Sequence, residues 1–204
     1  MLSAKVLHFV VTCLVLGLVY GHGRWEDPPS RQSAWRYGFE TPKDYNDMES
    51  SWCGGRDGLA RNGGRCGICD DAADKPKEKE FGGRFFTGKI FRTYQEGATI
   101  PSVLDITADH GGWSEFKVCP ADGNKQEVTQ SCLDQHVLEI EGKGKRYEHP
   151  KPEATAPARK VPLKLKLPSG LKCDRCVMQW TWHSTFTKEQ WSFCSDVKIG
   201  NSGG

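Results

Sequence analysis

The sequence carries little net charge and has no long hydrophobic run beyond its amino terminus. Its 28 Lys and Arg residues are nearly matched by 26 Asp and Glu residues. A chain without a strong field of one sign does not attract nucleic acid or an anionic membrane surface. No second apolar segment is long enough to span a bilayer. These absences disfavour nucleic-acid and membrane partners and favour an uncharged, insoluble or small-molecule partner.

The one hydrophobic run lies in residues 1–21, MLSAKVLHFVVTCLVLGLVYG. Lys5 gives it a positive start, an apolar stretch follows to about Val19, and the small residue Gly21 ends it. This pattern predicts a secretory signal peptide that is cleaved before His22, and hence a secreted, extracellular protein. A membrane anchor is disfavoured because the run is shorter than the ~20 residues of a span and no basic cluster follows it.

Residues 22–204 are predicted to form one domain, because their number suits a single hydrophobic core. Of the nine cysteines in the sequence, Cys13 leaves with the signal peptide. The remaining eight are Cys53, Cys66, Cys69, Cys119, Cys132, Cys173, Cys176 and Cys194. An even number of cysteines in a secreted chain predicts four disulfides. Their connectivity stays open, although Cys119 and Cys132 are the favoured local pair.

Two short motifs leave a second interpretation of the cysteines. The motifs CGIC (66–69) and CDRC (173–176) have the spacing of paired zinc ligands, and together they could form a four-cysteine zinc site. An oxidising extracellular compartment favours disulfides over this alternative.

The residues after the predicted cleavage point divide into a loop-rich part and a strand-rich part. From His22 to about Lys79 the chain is rich in Gly, Pro, Asp and Arg, which predicts long loops and a short helix near residues 30–39. After Phe81, apolar and polar residues alternate in segments separated by turn signals. These segments are 89–95, 102–109, 113–119, 136–142, 161–168, 176–183 and 192–199. They predict an all-β fold, an antiparallel β-sandwich of immunoglobulin or fibronectin type III-like architecture with long disulfide-held loops.

His22 becomes the first residue of the chain if cleavage occurs at the predicted bond. A histidine there offers two nitrogen ligands, because its free α-amine titrates near ~7.7–8.0 and a metal can displace that proton at neutral pH. One more imidazole completes a set of three nitrogens, which favours Cu(II). His110 is the candidate, at the end of a predicted strand before a Gly-Gly turn. The alternative is that each histidine is an ordinary surface or internally hydrogen-bonded residue.

The segment HGRWEDPPSRQSAWRYGFETPKDYND (22–47) resembles the start of the auxiliary activity family fifteen lytic polysaccharide monooxygenases. These are secreted copper enzymes of insects and other invertebrates. The resemblance continues in order over nearly the whole predicted domain. The further blocks are CGG (53–55), NGGRCGICDD (62–71), GGRFFTGKIFRTYQEG (82–97), DITADHGGWSEFKVCP (105–120), CLDQHVLEIEG (132–142) and LPSGLKCDRCVMQWTW (167–182).

The resemblance implies a fibronectin-like β-sandwich that carries one copper ion per chain in a histidine brace. His22 would supply its amine and a ring nitrogen, His110 would supply the third nitrogen, and Ala108 would pack beside the metal. The implied activity is oxidative cleavage of insoluble β-1,4-linked polysaccharide, chitin before cellulose, with an external electron donor and O2 or H2O2. We expect a monomer that presents the metal on a flat, exposed face, because a crystalline polymer cannot enter a deep cleft.

The sequence departs from the family near its end, where the family has a long loop and then a tyrosine axial to copper. Here QWTWHSTFTKEQWSFCSDVKI (179–199) passes almost directly into the last strand. Alignment on Cys194 and Asp196 puts Trp191 at the axial position, and a shift of two residues would put Phe193 there on the same strand face. Tryptophan has an N–H donor and no lone pair for a metal. The alternative is that Trp191 is simply a core residue.

Three further residues are weaker site candidates. Trp25 and Trp113 lie three residues after His22 and His110, and either could present a ring face to sugars or belong to the core. Gln179 is a candidate for a hydrogen-bond network around the copper, the alternative being an ordinary strand glutamine.

Two other function classes stay open at this stage. One is a chitin- or copper-binding protein that keeps the fold and the brace without turnover. The other is a disulfide-rich interaction domain without a metal, which applies if residues remain ahead of His22.

Overall fold

A computed structural model of the chain describes residues 22–49, 52–123, 125–150 and 157–201, and for His22 the backbone alone. The predicted signal peptide lies outside these residues. The strands are β1 (His22–Asp27), β2 (Arg92–Gln95), β3 (Thr99–Ala108), β4 (Gly112–Pro120), β5 (Glu139–Ile140), β6 (Tyr147–His149), β7 (Arg159–Lys166), β8 (Cys173–His183) and β9 (Gln190–Gly200). The helices are α1 (Gly55–Arg61), α2 (Gln130–Gln135) and a short 3-10 helix (Ala34–Tyr37). No helix among the described residues has the length and apolar character needed to cross a membrane.

The strands form two sheets that pack face to face, which confirms the predicted β-sandwich. One sheet has the order β1-β3-β7-β5 and the other the order β2-β9-β8-β4-β6. In β7, Val161, Leu163 and Leu165 are buried and alternate with exposed residues, mostly lysines, so the two-residue period places one face in the core. Trp25 of the first sheet meets Phe116 of the second, with ring centroids 5.7 Å apart.

The five-stranded sheet is covered on both faces, and for this reason β8 and β9 are buried along most of their length. Their inner face carries large rings, such as Trp180 stacked on Phe193 at a centroid distance of 4.4 Å. Their outer face is covered by the loop around residues 64–69, to which Gln179 donates a hydrogen bond at the carbonyl of Ile68 (2.6 Å). The long loops are therefore part of the folded structure.

Four disulfides form among the described residues, as the even number of cysteines predicts, and two of them hold the loop around residues 64–69. The pairs are Cys53–Cys66, Cys69–Cys194, Cys119–Cys132 and Cys173–Cys176. The favoured local pair of Cys119 with Cys132 is confirmed. Both motifs that could bind zinc use their cysteines in disulfides, which removes the zinc alternative.

A buried ion cluster attaches the segment after β1 to the last strand. Arg31 is almost completely buried and donates two hydrogen bonds to Asp196, from Nε (2.6 Å) and Nη2 (2.8 Å). Its Nη1 also pairs with Glu127. Burial lowers the pKa of Arg31, but the two carboxylates outweigh this and raise it above its ordinary value. The pairing keeps the amino-terminal segment in one position relative to β9.

The architecture differs from the prediction in a few elements. The sandwich is not wholly antiparallel, because β2 pairs with β9 in parallel. The predicted strand 136–142 shrinks to β5, and the predicted helix at 30–39 is a single 3-10 turn. β1 and β6 were not predicted because each is short and lacks a clear apolar alternation, so its extended form depends on pairing with β3 or β4.

Candidate metal centre

The backbone brings the first residue of β1 to the last residue of β3. In this antiparallel pair His22 lies opposite Ala108, with a register shift between His22 and Gly23. His110 follows Ala108 by two residues. The two histidines predicted from the sequence therefore meet at one end of the sandwich, although they are 88 positions apart in the chain.

A tight turn between β3 and β4 presents His110. Gly111 and Gly112 both have positive φ angles, 61° and 84°. A Cβ at Gly112 would lie 1.9 Å from the carbonyl oxygen of His183, so only glycine allows this approach of the turn to β8. Trp182 donates to the carbonyl of Gly111 (2.9 Å), and Ser184 donates to the carbonyl of His110 (2.8 Å).

Polar side chains from the β8–β9 loop surround the ring of His110, which is almost completely buried. Nδ1 of His110 lies 3.1 Å from Oε2 of Glu189 and 3.3 Å from Oγ1 of Thr187. The other carboxylate oxygen of Glu189 accepts a hydrogen bond from Nε1 of Trp52 (3.1 Å). Burial raises the pKa of Glu189, but hydrogen bonds from His110, Thr187 and Trp52 outweigh it and hold the pKa below its ordinary value.

Trp191 lies on the inner face of β9 beside His110. The ring centroids of the two residues are 5.7 Å apart and the rings are nearly perpendicular. Trp191 is almost completely buried and also packs against Trp182 at 4.8 Å. Phe193, the residue of the alternative alignment, packs instead against Trp180.

The residue types whose backbone positions come together here would suit copper if cleavage frees the amine of His22. Histidine rings and a free amine form a nitrogen-rich set, which Cu(II) prefers among the divalent ions of the cell exterior. Histidines that bind metals usually hydrogen-bond a carboxylate through the other ring nitrogen, as His110 does with Glu189. The fit therefore rests on the backbone register of His22 and on the partner of Nδ1 of His110.

A cleft of about 650 Å3 opens beside His110. It is lined by both charged and apolar side chains, among them Arg56, Arg61, Trp52 and Phe186. Phe186 is 56% exposed and is one of two large apolar side chains that stand out from the described surface. Sequence reasoning did not single out Glu189, Trp52 or Phe186, because nothing in their local sequence marks them as neighbours of His110.

Trp25 is a core residue, so the second of its two alternatives is correct and a sugar-stacking role for it is wrong. Its side chain has no exposed surface, and its Nε1 donates to Ser102 (2.9 Å) inside the sandwich. The position alternates inward from β1, so the ring joins the core.

Trp113 lies at the end of β4 that follows His110, but both faces of its ring are covered. It stacks on His183 with a centroid distance of 4.0 Å, and the guanidinium of Arg146 lies 3.8 Å from its centroid. Two groups so close to one centroid must lie on opposite faces of the ring. The predicted stacking on sugar is therefore not available in this arrangement.

Gln179 does not contribute to a network around His110, which corrects the expectation for it. Its amide donates to the carbonyl of Ile68 and exchanges hydrogen bonds with Gln130. It lies four residues before the end of β8, on the outer face of the sheet. Its contacts hold the loop that covers this face.

Known proteins resemble the chain in sequence and in fold. A family model described as lytic polysaccharide mono-oxygenase, cellulose-degrading, matches residues 22–197. No curated protein sequence matches the chain. The structure of a family AA15 lytic polysaccharide monooxygenase from Thermobia domestica, in the Cu(I) state, is 36% identical, covers 89% of this chain and 100% of its own, and has a TM-score of 0.81. The catalytic domain of a monooxygenase from Listeria monocytogenes, at 16% identity, covers 88% and 100% with a TM-score of 0.56 and shares the fold.

The fold and the meeting of the two histidine positions define a member of the copper-dependent polysaccharide monooxygenases. The chain belongs to the lytic polysaccharide monooxygenase family, and within it to auxiliary activity family fifteen, as its sequence blocks predict.

Proposed function

We propose that the mature protein is a secreted monooxygenase that cleaves chitin oxidatively, with cellulose as a second substrate. The observation that carries this proposal is the pairing of His22 with Ala108, which brings a potential amino-terminal histidine to His110. The relative from Thermobia domestica, whose structure is described in the Cu(I) state, supports copper as the metal. We expect one copper ion per chain, and a monomer.

In this proposal His22 and His110 hold the copper through three nitrogens, the amine and ring of His22 and Nε2 of His110. The chemistry that copper supplies when bound is reduction by an external donor followed by activation of O2 or H2O2. The chain's own residues bind and orient. The Gly111–Gly112 turn presents His110, and the packing of Trp182 and Trp191 keeps water from its inner side.

The surface beside the site suits a polymer of sugar rings. Phe186 is largely exposed next to the cleft that reaches His110, and an aromatic ring can pack on the apolar face of a pyranose. Arg56 and Arg61 on the same cleft are donors for sugar hydroxyls and, in chitin, for the acetamide carbonyl. These donors favour chitin, because its acetamide groups give an acceptor that cellulose lacks.

A second candidate function rests on Trp191. Its indole ring lies against His110 and would offer no oxygen to a copper ion held there, and the protein would then bind copper and chitin without turnover. The same fold and the same ligands serve both candidates, so only a measurement of products separates them.

The test begins with the secreted protein, whose amino terminus is sequenced to establish that His22 is the first residue. The copper-loaded protein is then incubated separately with chitin and cellulose, with a reductant and H2O2, and the soluble products are analysed by mass spectrometry. Oxidised chito-oligosaccharides are the expected result, and they must be absent from a His110→Ala variant. Copper binding with a three-nitrogen EPR spectrum but no oxidised product would support the binding protein instead.

A further inference from the structure

Glu189 is a residue of the β8–β9 loop that reaches the ring of His110. The loop that joins these strands spans residues 184–189, and its polar side chains include Ser184, Thr187 and Glu189. The backbone amide of Ser184 donates to the carbonyl of Glu189 (2.9 Å), which closes the loop over the turn that carries His110.

The carboxylate of Glu189 is fixed from two sides. One oxygen lies 3.1 Å from Nδ1 of His110, and the other accepts from Nε1 of Trp52 at 3.1 Å. The side chain of Glu189 is 11% exposed and that of His110 is 5% exposed, so little water competes for these hydrogen bonds. Lys188, just before it, has a left-handed backbone conformation (φ 57°), which is uncommon for a residue other than glycine and turns the chain at this point.

We infer that Glu189 is a positioning residue that keeps the proton of His110 on Nδ1 and so directs Nε2 to copper. A neutral imidazole has one donor nitrogen and one acceptor nitrogen, and the hydrogen bond made by one of them selects the other as metal ligand. An acceptor carboxylate at Nδ1 also makes the ring a stronger donor to the metal. The stronger donor stabilises Cu(II) more than Cu(I), and therefore Glu189 lowers the reduction potential of the site.

Trp52 contributes to this arrangement by holding the second carboxylate oxygen of Glu189. The inference thus includes a series of three residues, Trp52, Glu189 and His110, that joins the loop before α1 to the metal ligand. It rests on the proposed copper site, but the hydrogen bond to Nδ1 exists without the metal and is measurable in the metal-free protein.

The experiment compares the secreted protein with Glu189→Gln, Glu189→Ala and Trp52→Phe variants. Glu141→Gln serves as the control, because it removes an exposed carboxylate that pairs with Lys164. Long-range 1H–15N NMR of the metal-free protein gives the tautomer of His110, and titration with CuCl2 gives the dissociation constant. Wild type and the control are expected to carry the proton on Nδ1.

The Ala variant is expected to bind Cu(II) about 10–100-fold more weakly, with a raised midpoint potential and a mixture of tautomers. In the Glu189→Gln and Trp52→Phe variants, copper affinity, midpoint potential and tautomer should change in the same direction but by less. These two variants still test the inference if Glu189→Ala does not fold. An unchanged tautomer and an unchanged copper affinity in a folded Glu189 variant would overturn the inference. Wild type that binds no copper would instead refute the proposed function, and the tautomer would still decide the role of Glu189.

Discussion

Trp191 lies against His110 with its indole ring, and the sequence resemblance predicts that it takes the place of a tyrosine. A phenol has an oxygen that can approach copper weakly, whereas the indole N–H cannot accept. We therefore expect Trp191→Tyr to change the Cu(II) EPR spectrum and Trp191→Phe, which offers no oxygen, to leave its symmetry unchanged. Both variants lose part of a buried ring and should destabilise the fold by about 1–3 kcal/mol. Equal EPR spectra for the two would show that Trp191 is a core residue without influence on the metal.

His183 should make the stability of the fold depend on pH. Burial lowers its pKa to about 4, and Lys117 and Arg146 lower it too, against the opposing effect of Glu115. Unfolded histidine titrates near 6.5, so below that pH the unfolded state binds the proton first and stability falls as pH falls towards 4. The slope from this residue is at most about 1.4 kcal/mol per pH unit.

Urea unfolding at several pH values between 7 and 5 measures this slope. A His183→Asn variant should have a flatter dependence than wild type, and the difference between the two isolates His183 from other titrating groups. Equal slopes would contradict the prediction.

At the scale of single residues, the sequence predicts the proposed metal ligands but not the side chains that contact them. His22 and His110 are marked locally, by the cleavage pattern and by a strand end before two glycines. Glu189 lies 79 positions from His110, and only the closing of the β8–β9 loop brings them together. Trp25 is the opposite case, a residue close to His22 in sequence that does not belong to the site. Strand alternation directs its side chain into the core.

At the scale of elements, the turn between β3 and β4 depends on Gly112. An alanine there would combine a positive φ of 84° with a Cβ 1.9 Å from the carbonyl oxygen of His183. Gly142 is the matched control, since it has a φ of 71° and nothing within 4 Å of the added Cβ. Gly142→Ala should cost about 1–2 kcal/mol and Gly112→Ala roughly 1–3 kcal/mol more, and only the latter should weaken copper binding. Chemical denaturation and a copper titration measure the two effects, and equal losses would contradict the argument.

The strands that the sequence predicts well are those with a buried face of their own. β3, β7, β8 and β9 each have enough length and alternation to be recognised. β1 has the sequence HGRWED, in which apolar and polar residues hardly alternate. Its extended conformation therefore depends on its pairing with β3. The strand that carries the proposed first ligand was therefore one of the two that local pattern did not predict.

At the scale of the whole molecule, the long loops are held to the sandwich rather than added to it. Cys69 joins the loop that covers the outer sheet face to β9, and Arg31 joins the segment after β1 to the same strand through Asp196. The number of cysteines predicts such links, but their partners depend on contacts between distant parts of the chain. Sequence patterns of period two carry no information on those contacts.

The stabilising effect of the disulfides should differ with the length of chain that they close. Cys69–Cys194 has a sequence separation of 125, whereas Cys173–Cys176 has a separation of 3. Loop-closure entropy gives about 5 kcal/mol for the first and about 2 kcal/mol for the second. All four cysteines are buried, so paired alanine substitutions lose similar packing and differ mainly in loop length.

We expect Cys69→Ala/Cys194→Ala to lose more free energy of unfolding than Cys173→Ala/Cys176→Ala, by a few kcal/mol on the chain-entropy model. Guanidinium unfolding of both double variants measures the difference. The Cys69→Ala/Cys194→Ala variant should also weaken copper binding. Cys194 lies on β9 only four residues after Gln190, the first residue of that strand, and Glu189 immediately precedes it. A greater loss from the short bridge would mean that strain or packing, and not closure of the outer loop onto the sheet, decides the stability of this sandwich.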